Sequence, residues 1–186
     1  EAEKLNLYAL EITTKKYGDM HPQTSAIMNN LGWLFTLKGE YKKAEKYYQK
    51  VLEINENSFN NLSSYNAMTL NNLGWLYVLK GQDSLAKKVL KEGFKNSIKL
   101  IQKEAPYLPL SKRSNFVSSF GTFGNSYQSS FSWALENPAG LEFALFSRIN
   151  RQGILQDIEK RQSKLSSLPG PQKIILEDIK KINQKI

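Results

Sequence analysis

Apolar residues in the first half of the chain recur at intervals of three and four between charged and amide residues, a spacing that predicts helices. Leu5, Tyr8, Ala9 and Ile12 mark a first helix, and Gly18, Pro22 and Gln23 break its pattern. Pro22 suits the first turn of the next helix, where its missing N–H has no intrahelical partner to lose. That helix runs from about Thr24 to Leu37 and ends at Gly39. Another, from about Glu40 to Ile54, turns Ala44, Tyr47, Tyr48, Val51 and Leu52 inward. A polar loop from Asn55 to Asn66 follows, then helices from about Ala67 to Leu79 and from about Asp83 to Lys103. Pro106 and Pro109 close the series.

The helices come in copies. Asn-Asn-Leu-Gly-Trp-Leu stands at Asn29 to Leu34 and again at Asn71 to Leu76, 42 residues on. Lys38-Gly39 recurs as Lys80-Gly81 at the same interval, and Ala2-Glu3-Lys4 through Ile12 recurs as Ala44-Glu45-Lys46 through Ile54. A weaker third echo begins at Ala86. A fixed period of roughly 20 to 50 residues marks a solenoid, whose units bury their apolar faces by stacking on neighbours.

Leu31-Gly32, Phe35, Ala44 and Tyr48, repeated as Leu73-Gly74, Tyr77, Ala86 and Leu90, resemble the tetratricopeptide repeat. The 42-residue period and the Gly18-Asp19-Met20-His21-Pro22 loop are similar to the long-loop variety found in kinesin light chains and bacterial signalling proteins. The resemblance covers residues 1 to 103. It implies an all-α fold that opens with a short right-handed solenoid over residues 1–105.

From Ser111 the period is lost. Phe116, Phe120, Phe123, Tyr127 and Phe131 form an aromatic stripe on a helix that Gly121 and Gly124 weaken or bend. Base stacking also uses aromatics, but it pairs them with Lys and Arg, whereas Ser, Gly, Thr, Asn and Gln intervene here; a core role follows. Asn137-Pro138 starts a long helix, from about Ala139 to Leu168, striped by Leu141, Leu145, Ile149, Leu155 and Leu165. Pro169-Gly170-Pro171 breaks it, and Ile175, Ile179, Ile182 and Ile186 stripe a last helix. Residues 106–186 thus end in a long antiparallel helical hairpin.

Within this tail, Ala144-Leu145-Phe146-Ser147-Arg148-Ile149-Asn150-Arg151-Gln152-Gly153-Ile154-Leu155, followed by Glu159-Lys160-Arg161-Gln162, resembles the helical segment before the catalytic domain of bacterial TPR-CHAT proteins. CHAT domains are caspase-like cysteine peptidases. The resemblance implies such a domain in cis, downstream of Ile186, with Arg148, Asn150, Arg151 and Gln152 either docking against it or forming a solvated helix face. The family's His and Cys dyad has no counterpart here, since His21 lies in a repeat loop and the chain has no cysteine.

Composition narrows the function. Without cysteine there is no disulfide, thiolate metal site or thiol nucleophile, and one histidine makes no metal cluster, so neither metal nor cofactor is expected and the chain reads as non-enzymatic. No signal peptide begins it and no apolar run reaches the roughly 18 residues of a membrane span, which points to the cytoplasm. The absence of an initiator Met, with Glu1 already inside a second helix by register, reads as an excerpt of something longer. The net charge of +9 raises nucleic acid or an anionic membrane as partners, but the lysines stand beside glutamates on solvated helix faces rather than in a stripe.

A tetratricopeptide array lines its groove with first helices. That places Asn29, Asn30, Trp33 and Thr36, then Asn71, Asn72, Trp75 and Val78, as the candidate groove for a peptide or protein ligand. Asn clamps a peptide backbone and a partly exposed Trp anchors an apolar side chain. The alternative is that the asparagines bridge adjacent repeats and the tryptophans pack on their neighbours. Lys38 and Lys80 stand at the groove's edge, as contacts for an acidic peptide or as solvated helix C-terminal lysines. His21, beside Pro22, reads as a helix-start residue rather than a pH switch. The functional expectation is a peptide-binding scaffold that regulates a CHAT-type peptidase; the rivals are an assembly scaffold self-associating through its isoleucine stripe, and a basic nucleic-acid or membrane-surface module.

Overall fold

The computed structural model describes residues 1–59, 63–120 and 125–151, together with 153, 154, 156, 157, 160, 163 and 164. Among these every regular element is helical: α1 (Ala2–Tyr17), α2 (Pro22–Leu37), α3 (Tyr41–Phe59), α4 (Ser64–Leu79), α5 (Asp83–Glu104), a 3-10 turn (Ala105–Tyr107), α6 (Leu110–Ser119), α7 (Asn125–Glu136) and α8 (Pro138–Arg151). The all-α solenoid class is as the period implies: α2 pairs with α3 and α4 with α5, while α1 packs on α2 and α3 on α4.

Local chemistry explains the boundaries. Pro22 opens α2, and the His21 ring caps it, Nδ1 accepting from the Gln23 N–H at 3.2 Å while the ring stacks on Tyr17 at 4.7 Å. Ser63 caps α4 by accepting from the Asn66 N–H at 3.1 Å. Both first helices end in a Schellman turn. Gly39 (φ 74) and Gly81 (φ 67) take the left-handed conformation, and the next N–H reaches back to Phe35 O and Tyr77 O, each at 2.9 Å.

Glycines of another kind set the helix crossings. A methyl on Gly32 would stand 2.6 Å from the Tyr48 ring, and one on Gly74 would stand 2.5 Å from Leu90 Cγ. Each hairpin closes onto a position where only hydrogen fits. Leu31, Phe35, Ala44 and Tyr48 and their counterparts Leu73, Tyr77, Ala86 and Leu90 are the buried core around those crossings.

That core runs on beyond α5. Phe94 meets Phe143 and Phe146 of α8 edge-on, with centroids 6.5 and 5.5 Å apart. At the other end of α5, Asp83 accepts from Trp133 Nε1 (3.3 Å) and Asn137 Nδ2 (2.6 Å). Gly140 admits α8 against the α7 backbone, since its methyl would fall 2.6 Å from the Trp133 carbonyl. The α7–α8 pair therefore covers the end of the array.

Several boundaries differ from the sequence reading. α3 runs to Phe59, through the segment expected as loop, because no Gly or Pro interrupts it and Asn55 is fully buried among its neighbours. α4 starts at Ser64, where the Ser63 cap places it, three residues before Ala67. On α1, Leu5, Tyr8 and Ile12 face solvent, and it is Leu10 that packs against the core. The aromatic stripe does not ride one helix. α6 stops at Ser119, Phe120 turns extended and packs its ring against Phe116, and α7 begins only at Asn125; Ser and Gly there give the helix little propensity to continue. Phe123 lies outside the described residues, as does the Tyr127 side chain. The long helix from Ala139 is interrupted, because Gly153 takes φ 86 and ends α8, while the described residues 154, 156, 157, 160, 163 and 164 are helical again. The terminal hairpin beyond residue 164 lies outside the described residues.

Candidate functional site

Helical geometry separates each first helix into an inward and an outward face. On α2 the outward stripe is Asn30, Trp33 and Leu37, at intervals of three and four; Trp33 is 48% exposed and Leu37 67%. On α4 the same face carries Asn72, Trp75 and Leu79, extended by Tyr65 and Met68. Side by side these stripes form a surface of amides and large apolar side chains.

Asn29, Thr36 and Asn71 do not belong to it. All three are buried. Asn29 Oδ1 accepts from Thr69 Oγ1 at 3.2 Å and from Asn72 Nδ2 at 3.4 Å, so this amide joins one repeat to the next. Thr36 bonds the Gly32 carbonyl at 2.8 Å and lies 3.4 Å from the Tyr48 hydroxyl, within its own hairpin. Adjacent residues on a helix point 100° apart, so of the pair Asn29-Asn30 only the second reaches the surface. Val78 and Trp75 are half-buried, and the Trp75 ring meets Trp133 of α7 edge-on at 6.1 Å. The tail thus lies directly against the second tryptophan of the face.

The groove-edge lysines are tied down. Lys80 Nζ bonds Glu45 Oε2 at 2.6 Å, and Lys38 Nζ bonds Glu3 Oε2 at 2.6 Å and Glu40 at 2.9 Å. Glu3 and Glu45 are one period apart, as are Lys38 and Lys80, so the structure repeats an ion pair that clasps each first helix to the preceding second helix. Around Glu45 the environment is partly dry. Burial alone raises its carboxyl pKa, but the hydrogen bonds from Lys80 and Tyr77 and the lysine's charge outweigh burial and hold it below the usual range. Burial, reinforced by the Glu45 carboxylate, pushes the Tyr77 hydroxyl up to about 12. Burial does the same to Tyr48, also to about 12, against a small opposing effect from Thr36.

In the tail, Arg148 and Asn150 are exposed and Arg151 is half-buried, while Gln152 lies outside the described residues. Asn150 Nδ2 bonds the Phe146 carbonyl of its own helix at 2.7 Å. Both arginines stand in the last turn of α8, where they favour the helix dipole.

Leu37, Leu79, Tyr65 and Met68 were not singled out by the sequence reading. Stepping seven residues on from Asn30 and Asn72 along one helix face reaches Leu37 and Leu79, and stepping back four and seven from Asn72 reaches Met68 and Tyr65. Among the described residues no group of His, Asp and Glu is placed to hold a metal ion, and no helix is long and apolar enough to cross a membrane.

The family model described as tetratricopeptide repeat matches residues 1–57 and 37–98. No curated protein matches the chain.

Proposed function

The chain belongs to the tetratricopeptide-repeat family, whose repeats bind protein or peptide partners, and from that premise we propose that α2 and α4 present a capture face for an extended peptide. The observation that carries this reading is the outward stripe Asn30, Trp33 and Leu37, repeated 42 residues on as Asn72, Trp75 and Leu79. Trp33, Leu37 and Leu79 are large apolar side chains held in water on a rigid scaffold, which is costly unless something covers them, and the flanking amides supply backbone hydrogen bonds. Asn29 and Asn71 support the face from behind rather than touching the ligand.

In the finer reading the tail from about residue 106 couples this face to a caspase-like CHAT domain. Its support is the resemblance of Ala144 to Leu155 to the linker of such proteins, together with the contact between Trp133 and Trp75. Partner occupancy would then bias the packing of α7 and α8, which requires different affinities for two arrangements.

Panning a displayed peptide library against the full chain tests the capture face. Trp33→Ala should weaken the enriched peptides at least tenfold while far-UV circular dichroism stays unchanged, because Trp33 stands on the exposed side of α2. Peptides that bind the Trp33→Ala chain as well as the parent would refute the face. Asn29→Ala is a poor probe, since it strips the bond from Thr69 and so tests stability.

A further inference from the structure

A second feature lies on the opposite side of the hairpin. Met28 sits two residues before Asn30, about 160° around α2 from it. Over Met28, α3 forms an open notch of about 320 Å³, lined by Lys43, Lys46, Tyr47 and Lys50. That volume is at the lower end of what small-ligand pockets enclose and suits one large side chain.

The notch is a property of the repeat. Shifted by 42 residues, its lining becomes Leu70, Leu85, Lys88, Val89 and Glu92, and these residues line a second notch of about 250 Å³ one repeat further on. The second notch has Glu56 on its third wall; the residue in register with Glu56 is Thr14. Its charges are therefore one lysine against two glutamates, whereas the first carries three lysines and no acid in its lining. The shape repeats and the sign reverses.

The parts of the first notch are pre-positioned. Tyr47 stacks flat on Phe35, with centroids 5.6 Å apart and planes 7° off parallel. Lys43 is bonded to Glu40 at 2.6 Å and lies over the Phe35 ring at 5.1 Å. Lys50 is bonded to Glu53 at 2.9 Å. Lys46, between them and exposed, has no ion-pair partner among the described residues. Lys43 to Lys50 spans about 10 Å of helix, the reach of about three or four extended residues. Glu40 and Glu53 stand at the two ends, so the positive field is short. A continuous polyanion or an anionic bilayer laid along α3 would meet those carboxylates.

We infer that this notch binds an acidic peptide segment in which one large apolar residue, flanked by carboxylates, seats on Met28 and Tyr47 while the carboxylates meet Lys46 and its two neighbours. The site is separate from the capture face on α2 and α4, and the two stand or fall independently.

A fluorescein-labelled peptide Gly-Asp-Asp-Phe-Asp-Glu-Gly, titrated with the full chain and read by anisotropy, tests it. Binding should weaken at least tenfold with Lys46→Glu and at least tenfold when the peptide's Phe is replaced by Ser. It should be unchanged by Lys88→Glu, the equivalent change in the second notch, and by Trp33→Ala on the capture face. Circular dichroism of Lys46→Glu, an exposed position, should match the parent. Equal binding by Lys46→Glu or by the Ser peptide overturns the inference, as does loss of binding in Lys88→Glu or Trp33→Ala. Capture of duplex DNA or of vesicles rich in phosphatidylserine with the same Lys46 dependence and equal or higher affinity would assign the notch to those anions instead, and the inference would fail.

Discussion

Gly74→Ala adds one methyl to the centre of the second hairpin, and its cost separates close packing from helix propensity. In an exposed helix this change stabilises by about 0.8–1 kcal/mol. Here the new carbon would stand 2.5 Å from Leu90 Cγ, 2.6 Å from Cδ2 and 3.3 Å from the Leu90 backbone nitrogen. Leu90 has no exposed surface into which it can turn, so the helices must separate or the side chain must leave its rotamer. Such overpacking costs about 1–3 kcal/mol, which leaves a net loss of about 1 kcal/mol after the propensity gain. Leu90→Ala alone should cost about 2–5 kcal/mol through the cavity it opens. In the double variant the methyl added at position 74 enters that cavity, and the combined loss should fall short of the sum of the two singles by at least about 1 kcal/mol. Urea unfolding of the four proteins, followed by circular dichroism at 222 nm, closes the cycle. Additivity within about 0.5 kcal/mol, or a Gly74→Ala chain more stable than the parent, would refute the claim that the crossing depends on a missing side chain.

Two pH experiments follow from the partly dry polar groups. Tyr48 and Tyr77 are raised to about 12 in the folded chain, above the ordinary value near 10 that they regain on unfolding, so their contribution to stability is complete below about pH 10 and is lost as pH rises toward 12. Absorbance at 295 nm should show a late-ionising phase from Tyr48 and Tyr77, and Tyr48→Phe should shrink that phase and flatten the alkaline loss. On the acid side Glu45 is depressed, so its contribution is present above the usual carboxylate pKa and is lost as pH falls through its lower folded value. Lys80→Ala should therefore cost about 1 kcal/mol in urea unfolding at pH 7, where the pair is ionised, and the difference from the parent should shrink toward pH 3.

How much was legible in the chain depended on the range of the forces involved. Pro22 at the start of α2, the His21 cap and the two left-handed glycines each act within a few residues, and their chemistry is written beside them. The pairing of Gly32 with Tyr48 is longer in range, but the repeat displays it twice and so makes it readable. The proposed capture face was only half legible. Asn29 and Asn30 have the same side chain; the helix turns them 100° apart, and it is the neighbouring repeat, through Thr69 and Asn72, that buries Asn29 and satisfies its oxygen. The aromatic stripe misled for a related reason: spacing says which residues share a face if the helix continues, and the backbone at Phe120 does not continue it.

By itself, then, the sequence determined the period, the helix pairs, the crossing glycines and the all-α class, because each follows from residues repeated at fixed separation. Tertiary structure alone decided which amides are spent between repeats, how α7 and α8 close the array over Phe94 and Trp75, and that three lysines of α3 surround an apolar floor supplied by Met28. Those are outcomes of burial, and burial is settled by neighbours distant in the chain, whose positions no local pattern encodes.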